Sequence, residues 1–415
     1  MLYKSIIEND VKINNVLFPT SIMIKLTNNC NFRCKFCSQG ESRNINIDIS
    51  LVKKVLDEAK IYGVNEIIYS GGEPLLYPSF KDVISYGKKL GLYQTLVTNG
   101  YLLNKYIPDC MDKISQIGIS LHGGELTHDS MVCFSGAYRK IAQNIEAINR
   151  LENGPQITLN FTITKGNIDA IQEVISFAKS HNCKIYLARL NQVGKSMQNN
   201  EVKNIIDSFF NNHLMSDKIK VSNVIPMCQM QDDRKFFCHS CSAGIASVCV
   251  DADATVKICG SSLRSFGSIK DSSLYDIWNN ETFEDFRSLK WIPSICRFCR
   301  DFAECLGGCK VEKYDNIYSD SSDCLLNISI EKFYHDCEKK KLILLFTNVR
   351  RVDNRYILLG VPNRIVDEEG MCLLKNLLKT KNFNKVISEM DKSKRKQAIE
   401  LLYGMYKDHL IMFAN

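Results

Sequence analysis

Between Ser21 and about Leu190, short runs of β-branched and apolar residues alternate with stretches long enough to form amphipathic helices. This alternation predicts parallel βαβ units, because each helix carries the chain back across a sheet to begin the next parallel strand. The six predicted strands are Ile22–Leu26, Glu66–Ser70, Gln94–Thr98, Ser115–Leu121, Ile157–Thr164 and Lys184–Leu190. The predicted helices are Ser50–Tyr62, Phe80–Leu90, Ala137–Leu151 and Ile168–His181.

Local signals support the ends of the first two helices. Ser50 is expected to be the N-cap of the first helix, while Gly63 and Gly91 follow the predicted ends of the first and second helices. In barrels built from such units, functional residues belong at the carboxyl ends of the strands. The segments directly after each strand are therefore the first place to look for a site.

Three cysteines, Cys30, Cys34 and Cys37, follow the first predicted strand with the spacing C-x3-C-x2-C. Three thiolates on one loop can hold three irons of a four-iron cluster and leave the fourth iron open to a ligand that is not protein. A zinc knuckle or scattered structural thiols are the alternatives for this run alone. Gly71, Gly72, Glu73 and Pro74 follow the second strand, where glycines permit close approach to a ligand.

These two motifs, in this order on successive strands, resemble the signature of the radical S-adenosylmethionine (SAM) superfamily. The resemblance implies an α/β protein with a partial (β/α)6 TIM-type barrel. It also implies that the open iron binds SAM and that one electron splits SAM to a 5'-deoxyadenosyl radical, which abstracts hydrogen from a substrate. By the same resemblance, Gly71, Gly72 and Glu73 lie at the amino group of SAM and Phe36 lies beside its adenine.

Other strand ends carry further candidates by this resemblance. The positions where relatives contact SAM are occupied by Thr98-Asn99-Gly100, Ser120 with His122 and Gly123, Asn160 with Thr162, and Arg189. Serine and asparagine at a strand end are also common turn formers, so the structural alternative stays open for each. His122 and Cys133 are the candidate catalytic residues, the first as a proton donor and the second as a thiol near the barrel mouth.

A second group of cysteines begins with Cys296, Cys299, Cys305 and Cys309, spaced C-x2-C-x5-C-x3-C. With cysteines upstream and downstream, it resembles the SPASM domain, which binds two auxiliary four-iron clusters in radical SAM enzymes. The resemblance assigns the first auxiliary cluster to Cys238, Cys241, Cys259 and Cys309. It assigns the second to Cys296, Cys299, Cys305 and Cys324.

The chain departs from the SPASM pattern at two points. Ala254 stands where the family usually has glycine, and Cys238 has two alternatives as a ligand, because some relatives leave that iron open and Cys228 competes for it. Gly260 stands where sulfatase-maturing relatives have aspartate. A pair of four-thiolate structural zinc sites is the alternative for the whole group. Counting the SAM cluster with two auxiliary clusters, the expected cofactors are three [4Fe-4S] clusters and SAM.

Composition places the chain among ordinary globular proteins. Its 415 residues, 45% of them hydrophobic, suffice for two or three domains. Its first ten residues lack the apolar core of a signal peptide, and we expect no membrane span and a cytoplasmic location. Because that compartment keeps thiols reduced, 18 cysteines favour iron–sulfur ligation over disulfides. An external one-electron reductant of the flavodoxin or ferredoxin type is then an expected partner.

Residues 340–415 contain seven more basic than acidic residues, an excess equal to the formal charge of the whole chain. Predicted strands and helices suggest a small winged-helix-like module resembling the precursor-recognition elements of peptide-maturing enzymes. A leader peptide could add as a strand to the edge of its three-stranded sheet. A solvated helix face and binding of DNA phosphates are the alternatives, and nucleic acid is the least favoured partner. The predicted elements are Leu342–Phe346, Arg355–Leu359, Asn363–Val366, Glu368–Lys379, Phe383–Met390 and Ser393–Asp408.

The sequence thus predicts an N-terminal extension over residues 1–20, a radical SAM core over 21–215, a SPASM domain over 216–337 and a winged-helix-like module for peptide recognition over 338–415. The predicted function is maturation of a ribosomally made precursor peptide, with formation of a thioether or a carbon-based crosslink. The alternatives are a sulfatase-maturing enzyme that generates formylglycine and, from another class, an iron–sulfur redox sensor that binds DNA.

Overall fold

The structure is a computed structural model. It describes residues 18–37, 44–189, 219–222, 241–289, 291–292, 305–311, 330–339, 342–344, 348–352, 355–359, 364–380, 382–407 and 411–413. The chain divides into two compact units. One comprises residues 12–291 and 308–318, and the other comprises residues 1–11, 292–307 and 319–415.

The larger unit contains a ten-stranded sheet in the order β10-β9-β8-β1-β2-β3-β4-β5-β6-β7. Strands β1 to β7 are parallel and each pairs with the next in sequence, as the alternation of the sequence predicts for the first six. The strands are β1 Ser21–Thr27, β2 Glu66–Gly71, β3 Gln94–Thr98, β4 Gln116–Ser120, β5 Gln156–Ile163, β6 Lys184–Arg189, β7 Ile219–Ser222, β8 Ser247–Val250, β9 Thr255–Lys257 and β10 Gly267–Ser268.

Helices connect the parallel strands and bury one face each. In the first of them, Val52, Val55, Leu56 and Ala59 are buried at helical spacing. Burying such side chains contributes roughly 1.5–3 kcal/mol each. The helices of this unit are α1 Ile49–Ile61, α2 Phe80–Lys89, α3 Ile107–Cys110, α4 Glu125–Val132, α5 Ala137–Asn149, α6 Ile171–Ser180, α7 Leu274–Trp278 and α8 Glu281–Arg287.

One predicted cap is wrong. The N-cap of α1 is Asp48, whose carboxylate accepts a hydrogen bond from the backbone N–H of Ser50 at 2.7 Å. Aspartate at this position also accepts from the Ser50 hydroxyl, so Ser50 acts as a donor inside the first turn. The turn after α2 is as predicted, since Gly91 has φ +73°.

The cysteine-rich segment joins the sheet of the barrel directly. Strand β8 pairs in parallel with β1, so that Met23 lies opposite Cys249. Helix α7 of this segment is held to helix α1. The carboxylate of Glu58 in α1 accepts hydrogen bonds from the backbone N–H groups of Leu274 and Tyr275, at 3.2 and 2.8 Å. The barrel and the start of the second cysteine group therefore share one core.

The smaller unit contains a two-stranded and a three-stranded antiparallel sheet. Its core includes the fully buried side chains of Phe333, Leu374, Leu402 and Met405. Its described elements are α9 Ile330–Lys339, β11 Leu342–Leu344, β12 Asn348–Val352, β13 Arg355–Leu359, β14 Arg364–Asp367, α10 Glu368–Thr380, α11 Phe383–Glu389, α12 Lys392–Lys407 and β15 Ile411–Phe413.

The composition of its three-stranded sheet differs from the prediction. Strand β11 pairs with β15, and the third strand beside β13 and β14 is β12, which the sequence analysis missed. The two arginines at the centre of β12 interrupt its apolar pattern, which hides a strand from a search based on hydrophobic runs. A winged-helix-like module stays a prediction.

Among the residues that the structure describes, no helix is both long enough and apolar enough to cross a membrane.

Candidate active site

The cysteine loop, residues 28–37, begins where β1 ends. Cys30, Cys34 and Cys37 are all partly buried in it. The backbone N–H of Phe32 donates to the Cys30 sulfur at 3.4 Å, and the Phe32 ring is buried against Tyr101 and Phe134. The loop is thus held by an aromatic anchor while its thiols stay together at the strand end.

Helix α4 fixes the other side of the cysteine loop. The backbone N–H groups of Arg33 and Lys35 donate to the last carbonyls of the helix, those of Val132 and Met131, at 3.2 and 3.0 Å. The Lys35 ammonium also donates to the Ser130 hydroxyl at 2.9 Å. Carbonyls in the last turn of a helix have no partner inside it, so the loop satisfies groups that would otherwise need water.

The electrostatics of the three thiols suit a cationic ligand. Burial, followed by the charges of Cys30 and Cys37, raises the pKa of Cys34 to about 12. The pKa of Cys30 is also raised, mainly by burial. Thiols that are close enough to oppose each other's ionisation become thiolates together only when iron or another cation supplies the compensating charge. The donor set therefore fits an iron–sulfur cluster.

The geometry is also relevant to the zinc alternative. Within the described part of the chain, no three His, Cys, Asp or Glu side chains converge as ligands of a single metal ion. A four-iron cluster takes its thiolates at separate corners, so its protein ligands need not meet at one point.

Glu73 connects the ends of two strands. It is 0% exposed, and burial raises its pKa to about 7 despite three hydrogen bonds that lower it. Its carboxylate accepts from the Thr98 hydroxyl at 2.6 Å, the Asn99 N–H at 2.8 Å and the Leu75 N–H at 3.1 Å. The predicted contact of this carboxylate with the SAM amino group stays a prediction, since all the acceptor contacts described here serve the protein itself.

The two glycines before Glu73 have a structural reason that the sequence analysis did not give. A Cβ at Gly71 would overlap the carbonyl oxygen of Thr27, and one at Gly72 would overlap that of Asn29. Gly71 also has φ +143°, which disfavours other residues. The glycines let the end of β2 press against the start of the cysteine loop, where the Gly72 N–H donates to the Thr27 carbonyl at 2.8 Å.

Phe36 and His122 lie together, as two predicted site residues should. Their rings meet edge to face with centroids 4.5 Å apart. His122 is 2% exposed, and its ring Nδ1 accepts a hydrogen bond from the backbone N–H of Thr162 at 3.2 Å. The backbone N–H of His122 donates to the ring Nδ1 of His128. Burial, followed by the charge of His128, lowers the pKa of His122 well below its usual value. The buried His122 supports the ring of Phe36, and its function as a proton donor stays a prediction.

The remaining predicted SAM contacts differ in their setting. Ser120 and Asn160 are neighbours across β4 and β5 and are half-buried. The amide of Asn160 covers Gly118, since a Cβ there would lie 2.6 Å from its Nδ2. Arg189 ends β6, opposite Ile163 of β5. Their contacts with SAM stay predictions.

Cys133 is exposed and follows α4 directly. Its φ of 52° is in the left-handed region, which terminates the helix. Its charge is among the causes that raise the pKa of Cys34, so this thiol lies near the cysteine loop. A catalytic function for Cys133 stays a prediction.

Four of the eight predicted auxiliary ligands lie in described residues. Cys241, Cys259 and Cys309 belong to the larger unit and contact its core, and Cys305 is buried. The pKa of Cys259 is raised, first by burial and also by the charge of Cys241, so these two thiols are neighbours. The predicted ligands outside the described residues are Cys238, Cys296, Cys299 and Cys324, and the competing Cys228 also lies outside them.

Asn99, a predicted candidate at a strand end, and two lysines that the sequence analysis missed lie beside these sites. Asn99 donates from its amide to Asn31 at 2.8 Å and to the Cys30 sulfur at 3.9 Å, which links Glu73 to the cysteine loop. Two buried lysines, Lys25 and Lys310, contact the auxiliary ligand segments. A lone lysine inside the apolar run of β1 was the available signal for Lys25.

Comparisons with known proteins agree with this geometry. The model of the Radical SAM superfamily matches residues 24–178, and the model of the SPASM iron–sulfur cluster-binding domain matches residues 241–301. PqqA peptide cyclase of Gluconobacter oxydans (strain 621H) is 25% identical over 312 residues, which cover 71% of this chain and 86% of that protein.

Solved structures share the fold. SuiB of Streptococcus suis bound to S-adenosylmethionine superimposes with a TM-score of 0.60 at 18% identity, over 74% of this chain and 77% of that chain. SuiB bound to its precursor peptide SuiA superimposes with a TM-score of 0.61 at 17% identity, over 74% of this chain and 76% of that chain. The protein anSMEcpe bound to AdoMet and a peptide superimposes with a TM-score of 0.55 at 19% identity, over 72% of this chain and 91% of that chain.

The three neighbouring thiols after β1 lie within the residues that the Radical SAM model matches, and strand β8 beside β1 lies within those that the SPASM model matches. The chain contains a domain of the Radical SAM superfamily and a SPASM iron–sulfur cluster-binding domain, and it is a radical SAM enzyme. Its cofactors are SAM and iron–sulfur clusters, and the expected number of clusters, three, is typical of SPASM enzymes. The predicted partial barrel and SPASM fold are thereby confirmed.

Proposed function

We propose that this enzyme matures a ribosomally made precursor peptide by abstracting hydrogen from one of its residues and forming a thioether or a carbon-based crosslink. The supporting relatives are named for peptide chemistry. One is PqqA peptide cyclase, and the SuiB structure contains its precursor peptide SuiA. The observation that carries the proposal is the relationship to PqqA peptide cyclase over 71% of this chain.

The residues of the barrel have distinct functions in this proposal. Cys30, Cys34 and Cys37 hold the SAM-binding cluster, and Glu73 keeps Asn99 against the cysteine loop. When bound, SAM and its cluster would supply the radical that takes a hydrogen atom from the peptide, and the auxiliary clusters would supply an electron acceptor. Phe36, held by His122, offers an aromatic surface for the adenine of SAM.

We assign leader recognition to residues 338–415. The three-stranded sheet has two edge strands, β12 and β14, and an extended peptide can add to such an edge by backbone hydrogen bonds. The excess of seven basic residues over 340–415 favours a leader with acidic segments. An external flavodoxin- or ferredoxin-type protein supplies the reducing electron, and the proposed location is the cytoplasm.

A sulfatase-maturing activity is the second candidate because the two cysteine groups of the sequence also resemble those of sulfatase-maturing enzymes. The residue after Cys259 decides against it. Sulfatase-maturing relatives usually have aspartate there as a base, whereas this chain has Gly260, whose missing Cβ would lie 3.3 Å from Cε of Lys25. This chain therefore has no carboxylate at the position of that base. DNA binding has no supporting observation beyond the basic charge of the C-terminal segment.

Two cysteine variants test the division between the clusters. Under dithionite, Cys34→Ala should form no 5'-deoxyadenosine, because the SAM-binding cluster loses a ligand. Cys299→Ala should still cleave SAM but form no crosslinked peptide. Liquid chromatography measures deoxyadenosine, and mass spectrometry of a co-expressed small peptide encoded nearby measures the product. Equal loss of both products in both variants would contradict the proposal.

Leader recognition needs its own measurement. Peptide binding to the full-length chain is compared with binding to a variant carrying Lys392→Glu, Lys394→Glu and Lys396→Glu. We expect weaker binding of an acidic leader to this variant and unchanged SAM cleavage without peptide. A 20–25-base-pair random duplex at physiological salt serves as the competing ligand, and tighter binding of the duplex than of the leader would contradict the assignment.

A further inference from the structure

Lys25 and Lys310 are the lysines with buried side chains among the residues that the structure describes. They are 5% and 0% exposed. An ammonium group is strongly hydrated in water, so burying it costs several kcal/mol unless nearby negative charge compensates. Both lysines contact segments that carry predicted ligands of the first auxiliary cluster.

Lys25 reaches the ligand segment from the barrel. Its ammonium donates to the carbonyl oxygen of Gly260, the residue after Cys259, at 2.7 Å. It also pairs with Asp251 at 3.2 Å, and Asp251 in turn pairs with Lys257 at 2.7 Å. These three side chains carry one net positive charge. The pKa of Cys259 is raised by burial, and the charge of Lys25 opposes that rise.

Lys310 reaches the same ligand set from the other direction. It directly follows Cys309, and its ammonium donates to the carbonyl oxygen of Cys241 at 2.8 Å. The two lysines therefore contact backbone at, or next to, two ligands assigned to one cluster, and Lys310 adjoins a third. No sequence motif connects them, because they are 285 residues apart in the printed numbering.

A four-iron cluster with four thiolate ligands carries net negative charge, which increases when it accepts an electron. Net charge, hydrogen bonding and solvent exposure set the reduction potential of such a cluster. Positive charge held nearby in a poorly hydrated core stabilises the reduced form more than the oxidised form. Lys25 and Lys310 supply that charge from fixed positions.

We propose that Lys25 and Lys310 are positioning residues for the first auxiliary cluster and raise its reduction potential, so that it accepts the electron released as the peptide product forms. This inference depends on the proposed ligands Cys241, Cys259 and Cys309. One electron reduces the oxidised cluster, and neither lysine changes its covalent structure.

The test is an anaerobic redox titration with dithionite, followed by electron paramagnetic resonance. Full-length protein carrying Cys30→Ala, Cys34→Ala and Cys37→Ala is used, so that auxiliary clusters alone contribute. In this background, Lys25→Gln and Lys310→Gln should each lower the equilibrium constant for reduction of one cluster about ten-fold, a fall of ~59 mV in midpoint. Iron content should remain that of the parent.

Asp251→Asn provides a result that loss of packing would not produce. Removing this negative charge should move the same midpoint upward, opposite to Lys25→Gln. Lys184→Gln, which removes a lysine hydrogen-bonded to Gln156 on the barrel, should leave the midpoint unchanged. Unaltered midpoints in iron-replete Lys25→Gln and Lys310→Gln would overturn the proposal, and so would shifts of the same sign in Asp251→Asn and Lys25→Gln. If one lysine variant fails to fold, the other and Asp251→Asn decide.

Cys259→Ala separates this inference from the ligand assignment on which it depends. The variant should lose about one cluster of iron relative to the parent. Unchanged iron would mean that the assignment of Cys259 is wrong. Loss of iron in Cys259→Ala, together with unshifted midpoints in the lysine variants, would contradict only the electrostatic function of the lysines.

Discussion

The backbone N–H of Asn99 donates a 2.8 Å hydrogen bond to the buried carboxylate of Glu73. The side chain of Asn99 then reaches Asn31 and the Cys30 sulfur. Glu73 therefore acts on the cysteine loop through Asn99, from a position with no exposed surface. This arrangement makes the two signature motifs of the sequence parts of one hydrogen-bonded unit.

We predict that Thr98→Val weakens SAM binding. The change removes the 2.6 Å hydrogen bond from the Thr98 hydroxyl to Glu73, which should cost about 1.5–3 kcal/mol at pH 8 and above, where the acceptor is charged. It should also raise the pKa of Glu73 above about 7, since that hydrogen bond lowers it. Calorimetry with SAM and urea unfolding followed by circular dichroism measure the two effects.

Thr95→Val is the matched control for this prediction. Thr95 lies on the same strand and donates to the Glu66 carboxylate, also at 2.6 Å, but near the amino end of the strand. It should lower stability without changing the affinity for SAM. Equal losses of SAM affinity in the two variants would contradict a specific function of the Thr98–Glu73 contact.

A second prediction concerns the pH dependence of stability at His128. Its side chain is fully buried, and burial lowers its pKa to about 4. An unfolded histidine has a pKa of about 6.5. As the pH falls below 6.5, His128 binds a proton in the unfolded state but stays neutral in the folded state. The unfolded state is therefore stabilised, and the free energy of unfolding decreases. By pH 5.5 the loss should be about 1 kcal/mol relative to pH 7.5.

The difference in stability between the parent and His128→Asn isolates this contribution from that of other groups. The variant should lose less stability than the parent between pH 7.5 and 5.5 in urea unfolding. His181→Asn, at a partly exposed histidine, should follow the parent. A constant difference between His128→Asn and the parent across this range would show that His128 titrates normally in the folded protein.

Cys133 gives a third prediction, which separates a structural from a catalytic function. Cys133→Gly should stabilise the enzyme by roughly 0.5–1 kcal/mol, because φ is 52° there and the exposed thiol makes only a weak 3.7 Å hydrogen bond to the Ser130 carbonyl. Cys133→Ser should leave stability unchanged. If the thiol is catalytic, both variants lose crosslinked product while deoxyadenosine formation continues. Full product formation in both would restrict Cys133 to its structural position.

The sequence predicts the parallel core well because its strands and helices depend on local periodicity. The strand Gln94–Thr98 has the predicted bounds, and the other five core strands begin or end within one residue of them in the described part. Asp48 was missed as a cap because Ser50 has equally good capping chemistry two residues later. Choosing between them requires the path of the chain.

Long-range contacts were beyond the reach of local pattern. The cluster cysteines have a fixed spacing and were found, but Lys25 lies in a strand and meets its partners more than 200 positions later. The pairing of β1 with β8 brings them together. Ala254 is a case where a departure from the family pattern is informative, since it adopts φ 72°, the conformation that the usual glycine favours.

The last prediction concerns the close contact between β2 and the cysteine loop. Gly71→Ala combines a backbone conformation that disfavours alanine with overlap on the Thr27 carbonyl, and should cost roughly 2–4 kcal/mol. Because Thr27 leads into the cysteine loop, iron content and SAM binding should fall as well.

Gly136→Ala is the matched control, since Gly136 has φ +79° with open space around its missing Cβ. It should cost only about 1 kcal/mol and retain iron. If Gly71→Ala retains the iron and SAM affinity of Gly136→Ala, the contact with Thr27 does not determine the geometry of the cluster site.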